Sequence, residues 1–451
     1  MHKSKEDQPA LVFERTTQVG EARSRWLWAE PSIWTDRMLT ALETGVQGSK
    51  WYSLGDKVFS VKSLDASFAK VKANKGACGV DGWTVERFDA RREENLARLH
   101  SELRAGTYRP SPVRRVWIPK PGTNEKRPLG IPTVRDRVVQ TAVKAALEPI
   151  FEKEFRDSSF GFRPRRSCRQ ALRKVERSLS SGKRYVVDAD FRKFFDTIPH
   201  EVILGGLESK VTDGRILDLV RAYLVQGVME GGLPSLREEM ASEGTPQGSP
   251  LSPLLANIAL HDLDVLMENS GYELVRYADD FVVLCESRDL AVAALDAVRD
   301  WTETNGLHLH PKKTRIVDYE AGESFEFLGF EFRKDRVFPR KKSLLEMRSK
   351  IRAKTPRHSG KSLRAVIAGL NPVLRGWFNY FKGSPEHVFR NMDGYVRRRL
   401  RSMLDRRIRI QCTHPGAESS KRWPTRFFAE HGLYSMRDAC KARSILLEAN
   451  H

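Results

Sequence analysis

Two adjacent aspartates interrupt an apolar segment in the second half of the chain. Residues 274–284 read LVRYADDFVVL, so Asp279 and Asp280 are flanked on both sides by residues that favour β-strands. Aspartate is rare within strands and frequent in tight turns, so the pattern predicts a β-hairpin with both carboxylates at its rim. Two close carboxylates repel each other unless a cation lies between them, and Mg²⁺ suits such a site. An ordinary surface turn has the same pattern, so other residues must decide.

The charge of the chain indicates a polyanionic partner. The 451 residues carry a formal net charge of +20, and the isoelectric point is near 9.8. Residues 331–451 hold 29 Lys and Arg against 10 Asp and Glu, a net charge of +19, which leaves +1 for residues 1–330. No apolar stretch approaches the roughly 18 residues of a membrane span. We therefore expect RNA or DNA as the partner, no membrane association and a cytoplasmic protein.

The size and composition predict a folded protein of two or three domains. Hydrophobic residues make up 40% of the chain and nine are Trp, which excludes a disordered protein. The five cysteines are widely spaced, so the sequence predicts neither a disulfide framework nor a zinc site with paired cysteines.

The predicted elements change character along the chain. Residues 1–60 are polar with scattered Trp and are typical of an arm or a loosely packed extension. Residues 113–120 and 126–131 predict a hairpin with basic residues on both arms. After Phe332 strand signals give way to Arg-rich helical patterns, so we expect a domain boundary near residue 335.

A second strand-like segment also carries acidic residues. Residues 185–191 read YVVDADF, which places Asp190 near the end of a predicted strand. Carboxylates from two neighbouring strands that hold two Mg²⁺ form a phosphoryl-transfer site, in which one ion activates a 3′-hydroxyl and the other stabilises the leaving pyrophosphate. Alternatively, Asp190 only caps the helix that begins after it.

Eight motifs follow one another along the chain: NKGACGVDG (74–82), KRPLGIPTVRDRVVQ (126–140), FGFRPRRSCRQAL (160–172), YVVDADFRKFFDTI (185–198), GTPQGSPLSPLLANI (244–258), VRYADDFVVL (275–284), LHPKKTRIV (309–317) and FEFLGFEF (325–332). In this order they resemble the motifs of one family, the bacterial group II intron reverse transcriptases and maturases. The later segment LNPVLRGWFNYF (370–381) resembles the thumb of that family, called domain X. The resemblance runs from about residue 50 to the C-terminus.

The resemblance implies an α/β (α+β) fold with the right-hand architecture of polymerases. The implied domains are an N-terminal extension over 1–60, fingers and palm over 61–333, an α-helical thumb (maturase domain X) over 334–411 and a basic C-terminal tail over 412–451. Many members end in a His-Asn-His endonuclease whose fold depends on paired cysteines. Cys412 and Cys440 stand alone and the chain stops at His451, so we expect no such domain.

The implied function is RNA-directed DNA polymerase, a nucleotidyltransferase that uses two Mg²⁺, deoxynucleoside triphosphates, an RNA template and a DNA primer or target. The family also binds its parent intron RNA to assist splicing and mobility (retrohoming). Two alternatives stay open: a free-standing reverse transcriptase in host defence or repair, and a non-enzymatic RNA-splicing cofactor. The latter could lose the acids, so the presence of Asp190, Asp279, Asp280, Gln247 and Phe195 argues against it. The oligomeric state is not predicted.

The resemblance also implies roles for individual residues. Asp190 and Asp279 would hold the Mg²⁺ ions, with the Phe191 carbonyl assisting and Asp280 in support. Phe195 would be the steric gate that excludes ribonucleotides.

The sequence itself supplies one argument for the predicted steric role of Phe195. Phe194 and Phe195 are adjacent, and neighbours on one strand cannot both face inward. The other implied nucleotide-binding residues are Lys120, Arg127, Gln247 and Lys313. Lys313 could act as a general acid near the pyrophosphate, and its neighbour Lys312 leaves that assignment open by one position.

Binding of intron RNA is predicted for an arginine cluster on one face of a thumb helix and its extension. A solvated helix face is the alternative interpretation. The cluster comprises Arg397, Arg398, Arg399, Arg401, Arg406 and Arg407.

Overall fold

The structure, a computed structural model, describes residues 23–119, 125–230, 233–234, 243–334, 336–358, 360–408 and 415–448. The chain divides into two compact units. Of the described residues, the first unit comprises those from 23 to 316 and the second comprises those from 317 to 448. Helices and sheets occur in both, which confirms the mixed α/β class.

The first unit consists of helices packed around two sheets. Its helices are α1 Asp36–Thr44, α2 Gly55–Val58, α3 Val61–Ala73, α4 Val85–Asp89, α5 Arg92–Arg104, α6 Val134–Glu154, α7 Cys168–Ser180, α8 Phe194–Thr197, α9 His200–Glu208, α10 Gly214–Leu224, α11 Ser252–Ala259, α12 His261–Asn269 and α13 Arg288–Thr304, with a 3-10 turn over Gln47–Ser49. Its strands are β1 Val113–Pro119, β2 Lys126–Ile131, β3 Tyr185–Asp190, β4 Val228–Glu230, β5 Leu233–Pro234, β6 Glu273–Tyr277, β7 Asp280–Cys285 and β8 Arg315–Asp318, the last at the junction of the units.

The central sheet has the strand order β6-β7-β3-β8. Strands β6 and β7 pair in antiparallel fashion, with Tyr277 opposite Asp280, which confirms the predicted hairpin. Strand β3 pairs with the other edge of β7, with Asp190 opposite Asp280. Side chains alternate between the faces of a strand, so Ala189 and Phe281 join the buried core while Asp190 and Asp280 share the other face.

The second sheet has the order β2-β1-β4-β5 and contains the predicted basic hairpin. Ile118 lies opposite Arg127 in the β1–β2 ladder. Helix α6 begins directly after this hairpin, where the Thr133 hydroxyl accepts a hydrogen bond from the Asp136 amide. The Asp136 carboxylate in turn accepts hydrogen bonds from the hydroxyls of Tyr108 and Thr133, at 2.6 and 2.7 Å. This buried network ties the start of α6 to the segment before β1.

Residues 23–60 were expected to pack loosely, and the structure shows otherwise. Trp26, Trp34 and Trp51 are buried and belong to the core of the first unit. The Trp34 indole donates to the carbonyl of Ala145 on α6 at 3.0 Å. The scattered tryptophans of a polar segment are therefore its anchors, because each buries a large apolar area.

The second unit combines a small sheet with helices. Its strands are β9 Phe325–Phe327, β10 Phe330–Arg333 and β11 Arg336–Pro339, and its helices are α14 Lys341–Lys354, α15 Leu363–Phe381, α16 Glu386–Arg407, α17 Pro415–Arg422, α18 Thr425–Glu430 and α19 Met436–Glu448. The ring of Phe330 on β10 packs against Phe381 of α15, with centroids 4.7 Å apart. This contact joins the small sheet to the helices that follow it. The sheet therefore belongs to the second unit, and the units divide at Val317 instead of near residue 335.

The segment expected to form a basic tail contains three helices, α17 to α19. Residues 412–451 hold 6 Lys and Arg against 4 Asp and Glu, whereas residues 334–411 hold 22 against 5. The basic excess therefore lies in α14 to α16 and their connections. The Asp393 carboxylate of α16 accepts hydrogen bonds from the amides of Met436 and Arg437, at 3.2 and 3.0 Å, and so holds the start of α19.

Candidate active site

The two-residue turn between β6 and β7 places Asp279 beside the end of β3. Ala278 and Asp279 form this turn, and Ala278 has the left-handed backbone conformation with φ of +60°. Asp279 is half-buried, and Asp280 begins β7 directly opposite Asp190. The three aspartates therefore occupy backbone positions at the same end of the central sheet.

Electrostatics at this end of the sheet favour a bound cation. Burial, with the charge of Asp190 as a further cause, raises the pKa of Asp279 above its ordinary value. The positive charge of Arg127 opposes this rise. A carboxyl group that is costly to ionise next to a second carboxylate becomes a stable anion once positive charge lies between them.

Lys313 supplies one positive charge in the structure. Its ammonium lies 2.5 Å from Asp190 Oδ2. The segment that carries it is fixed to β3, because the amide of His310 donates to the Asp190 carbonyl at 2.7 Å. Lys313, rather than Lys312, is thus the lysine that contacts the carboxylate.

The aromatic residues after Asp190 have different environments. Phe191 is buried, and its ring packs against those of Phe194 and Phe281, with centroids 5.0 and 5.5 Å apart. This packing fixes the backbone next to Asp190. Phe194 is buried as well, whereas Phe195 is only half-buried.

The difference between Phe194 and Phe195 does not come from a shared strand, as the sequence had predicted. Phe194 and Phe195 were placed on one strand, but Lys193 adopts a left-handed conformation with φ of +53° and the chain turns into the short helix α8. Successive helical side chains point about 100° apart, so the two rings still separate. The carbonyl of Phe195 accepts from the amide of Thr245 at 2.7 Å, which places it beside the loop that contains Gln247.

Gln247 belongs to a loop that contacts the basic hairpin. Its carbonyl accepts a hydrogen bond from the amide of Gly130 on β2 at 2.7 Å. Gly248 has φ of +114°, and a Cβ there would lie 2.6 Å from the Gly130 carbonyl oxygen, so this close approach requires glycine. The Gln247 side-chain amide lies 3.5 Å from Asp196 Oδ1.

Two residues of the basic hairpin, Lys120 and Arg127, were predicted to bind the phosphates of the nucleotide. Arg127 is exposed on β2, and its positive charge is one of the causes that lower the pKa of Asp279 against the effect of burial. Lys120 lies outside the described residues.

Tyr277 was named in the sequence motif but given no role. Burial of its hydroxyl, together with the neighbouring Cys168 thiol, raises its pKa to about 12. Tyr277, like an ordinary tyrosine, is neutral at physiological pH and adds no negative charge beside Asp279. The ring of the exposed Phe162 lies next to it, with centroids 6.4 Å apart.

The sequence interpretation missed Arg276, the fully buried residue before Tyr277. Its guanidinium contacts Asp264, Asn257, Ser159 and the carbonyl of Ala278. The one signal in the sequence is a single charged residue within an apolar strand. Such a residue is usually exposed, and only its distant partners reveal that it is buried.

The predicted arginine cluster does not form one face of its helix. At 100° per residue the six positions are spread around the whole circumference of α16. Three of them donate to main-chain oxygens of the second unit: Arg399 to Thr355 at 2.7 Å, Arg401 to Trp423 at 2.9 Å, and Arg407 to Lys361 at 2.5 Å. Arg398 and Arg406 are exposed, and Arg397 is half-buried.

The residues at this end of the sheet fit a hard divalent cation. The donors are carboxylate oxygens, which Mg²⁺ prefers, and the positive group that contacts Asp190 shows where a cation is stabilised. In the described part of the chain, no three His, Cys, Asp or Glu side chains are grouped as a complete metal-binding set. Two carboxylates leave coordination positions that a nucleotide's phosphate oxygens would fill.

Comparison with known proteins identifies the family. Residues 118–332 match the family model described as reverse transcriptase (RNA-dependent DNA polymerase), and residues 344–414 match the group II intron, maturase-specific domain. Protein YkfC of Escherichia coli (strain K12) is 33% identical over 343 residues, which cover 65% of this chain and 86% of YkfC. The chain belongs to the group II intron reverse transcriptase and maturase family. This confirms the predicted family, its polymerase fold and its activity as an RNA-directed DNA polymerase with a splicing role.

Other relatives are matched over shorter lengths. The group II intron-encoded protein LtrA of Lactococcus lactis subsp. cremoris is 40% identical over 198 residues, which cover 44% of this chain and 32% of LtrA. Among solved structures, a partial Cas6-RT-Cas1–Cas2 complex has a TM-score of 0.35 at 24% identity and covers 56% of this chain and 41% of its own. Telomerase from Candida albicans has a TM-score of 0.41 at 13% identity and covers 66% and 59%. Likeness at these TM-scores supports no further conclusion.

Family membership settles the partners at a coarse level. Reverse transcriptase domains use divalent metal ions and an RNA template, and the maturase domain adds a nucleic-acid partner. None of the helices among the described residues is long and apolar enough to cross a membrane.

Proposed function

We propose that the chain extends a DNA primer along an RNA template with deoxynucleoside triphosphates and two Mg²⁺ ions, and that it binds its parent group II intron RNA to assist splicing and mobility. The carboxylates of Asp190 and Asp279 hold the ions, and Asp280 supports them from the adjacent position. The observation that carries this proposal is the meeting of Asp190 with the Ala278–Asp279 turn at one end of the central sheet.

The bound ions would supply a lowered pKa for the primer 3′-hydroxyl and positive charge on the leaving pyrophosphate. The protein residues orient the other participants. Asp190 receives its position from β3 and from the amide of His310, and Asp279 receives its position from the β6–β7 hairpin. The pairing of β3 with β7 keeps both carboxylates in register while the substrates exchange.

The nucleotide pocket is proposed to lie between Phe195, Gln247 and Arg127. Phe195 is half-buried beside the Gln247 loop, and that loop is bonded to the β2 strand that carries Arg127. The ring of Phe195 would lie against the sugar, where a 2′-hydroxyl clashes. Arg127 would bind triphosphate oxygens, for which a planar guanidinium is suited. Lys120 is proposed for the same task from the family motif.

Lys313 is proposed to donate a proton to the pyrophosphate. Its ammonium is held next to the Asp190 carboxylate, so it would lie close to a phosphate bound beside that carboxylate. A charged amine near the leaving group assists its departure both as an acid and as a counter-charge.

Binding of intron RNA is proposed for the basic helices of the second unit. Helix α14 exposes Arg348, Lys350 and Arg352, and α16 exposes Arg398 and Arg406. Exposed basic side chains contact phosphates without regard to base sequence, so they supply affinity for folded RNA rather than specificity.

The test uses the purified chain in two assays. Extension of a DNA primer on an RNA template should require Mg²⁺ and stop on addition of a chelator, and splicing of the flanking intron at moderate Mg²⁺ should require the protein. Failure of extension with all substrates present would contradict the polymerase proposal. Extension without any effect on a flanking intron would favour the free-standing reverse transcriptase.

A further inference from the structure

Arg276 is a fully buried charge directly behind the Ala278–Asp279 turn. Neither Arg276 nor its partner Asp264 has any exposed side-chain surface. Arg276 lies opposite Phe281, a core residue, so its side chain projects to the face of the hairpin opposite to the carboxylate of Asp280. It therefore supports the turn from the protein interior.

Every N–H of this guanidinium has a partner. Nε donates to Asp264 Oδ1 at 2.7 Å, and Nη2 donates to Asp264 Oδ2 and to Ser159 Oγ, the latter at 2.8 Å. Nη1 donates to Asn257 Oδ1 and to the carbonyl of Ala278, both at 3.0 Å. Arginine has five N–H donors, so all are used. One of the five reaches the peptide that precedes Asp279.

The Ala278 peptide needs such support. Alanine at φ of +60° is in a conformation that L-residues avoid, so the turn is not fixed by local preference alone. The backbone of Gly161 packs against the neighbouring Tyr277–Ala278 peptide, since a Cβ on Gly161 would lie 2.2 Å from the Ala278 nitrogen. Asn257 joins the two supports, because its Nδ2 donates to the Gly161 carbonyl at 2.8 Å while its Oδ1 accepts from Arg276.

We infer that Arg276 is a positioning residue: it fixes the Ala278–Asp279 turn and, through Asn257, couples the position of the Asp279 carboxylate to helix α11, which follows the Gln247 loop. This inference rests on the proposed function of Asp279. Three separate segments of the chain, around Ser159, Asn257 and Arg276, thus converge on one guanidinium.

A purely stabilising ion pair is the competing explanation. Taking two charges out of water is costly, and well-packed apolar residues of similar volume are often at least as stable. A buried pair whose three spare donors reach a backbone carbonyl, a side-chain amide and a hydroxyl around one turn has a more specific effect. It restricts the turn to one conformation, which matters most if the turn carries a metal ligand.

The test compares three variants with one control. Arg276→Lys keeps a positive charge next to Asp264 but has too few donors to reach Ala278, Asn257 and Ser159 together. Asn257→Ala and Ser159→Ala each remove acceptors of Arg276 and leave the ion pair intact. Tyr223→Phe is the control: it removes a buried hydroxyl that is 2.8 Å from the Tyr108 hydroxyl, in the network beside α6. Melting temperature, kcat, KM for the nucleotide and Mn²⁺ binding are measured for each.

Mn²⁺ binding is followed by electron paramagnetic resonance with a dideoxy-terminated primer, so that no extension takes place. We expect kcat to fall about 100-fold for Arg276→Lys and about tenfold for Asn257→Ala, with KM changed by no more than about twofold. Mn²⁺ affinity should weaken in the same order, and Ser159→Ala should show the smallest effect. Tyr223→Phe should lower the melting temperature and leave kcat and Mn²⁺ affinity unchanged.

The inference is overturned if Asn257→Ala folds and retains wild-type kcat and Mn²⁺ affinity, or if Tyr223→Phe causes the same losses. If Arg276→Lys does not fold, Asn257→Ala and Ser159→Ala decide the outcome. If the wild-type chain binds primer and template but never extends, the proposed function fails instead, and that result is visible before any variant is compared.

Discussion

The ammonium of Lys313 lies 2.5 Å from Asp190 Oδ2. A metal ion bound by Asp190 would need the carboxylate that Lys313 contacts. The lysine and the ion would therefore compete for Asp190. Lys313 then becomes available to a phosphate group when an ion takes its position. This exchange gives the lysine two separable effects, one on metal binding and one on the leaving group.

Replacement of Lys313 by Met should therefore lower the Mg²⁺ concentration for half-maximal extension while lowering the maximal rate. A general acid contributes on the order of 100-fold or more to a rate. Extension rates are measured across a Mg²⁺ titration. Lys312→Met is the matched control and should resemble the wild type; a larger loss in that variant would move the assignment by one position.

Asp279→Ala should abolish primer extension while RNA affinity stays within about twofold of the wild type. The carboxylate holds metal, and loss of a metal ligand costs several kcal/mol of transition-state stabilisation, or more than about 1,000-fold in rate. Both quantities are measured on one preparation. Asp218→Ala, which changes an exposed carboxylate on α10, is the control. Extension within about tenfold of the wild type would contradict the metal-ligand assignment.

Phe195→Ala should admit ribonucleotides, because selection by a clash disappears when the ring is removed. The ratio of deoxyribonucleotide to ribonucleotide incorporation is compared between the wild type and the variant. Phe194→Leu is the control, since Phe194 is the buried ring of the pair and should affect stability rather than sugar selection. An unchanged ratio in Phe195→Ala would assign that ring to packing alone.

Replacement of Arg398 and Arg406 by Gln should weaken binding of the parent intron RNA and reduce its salt dependence. Each phosphate contact contributes roughly 0.7 to 0.9 to the slope of log affinity against log salt, so the slope should decrease by about 1.5. Extension on a short primed template should be retained. Arg399→Gln is informative by contrast: Arg399 bonds Thr355, so its loss should lower stability. Wild-type intron affinity and splicing in the double variant would contradict the RNA-binding proposal.

Asp393→Ala should release the start of α19 from α16. The carboxylate accepts from the amides of Met436 and Arg437 and from the hydroxyl of Ser435, so its loss leaves helix-start amides without their acceptor. A lost cap costs about 1 kcal/mol. Hydrogen exchange should accelerate over residues 436–448, while residues 363–381 of α15 serve as the internal reference. Equal acceleration in both segments would indicate general unfolding instead.

Much of the end of the central sheet that carries the aspartates could be predicted because its signals are local. Paired aspartates among β-forming residues predict a turn wherever the chain folds, and Asp190 ends a strand for the same reason. Arg276 could not be recognised in this way. Whether a charged residue in a strand is buried depends on partners such as Asp264 and Asn257, which lie in other segments.

Other differences also have identifiable causes. Strand β3 ends at Asp190, and the left-handed Lys193 turns the chain into helix α8 at Phe194; no residue pattern marks that turn. Residues 1–60, polar with scattered tryptophans, were expected to form an arm or a loosely packed extension, although large apolar rings in a polar segment often anchor it. The spread of the six arginines around α16 follows from helical spacing and could have been calculated from the sequence.

The Arg276 cluster also bears on how this chain can change over evolution or in engineering. Ser159 and Arg276 are 117 positions apart, yet one cannot be exchanged without altering the surroundings of the other. Chimeras with relatives should therefore keep positions 159, 257, 264 and 276 from the same parent. In a collection of homologues these four positions should covary as a group, separately from the residues that touch substrate.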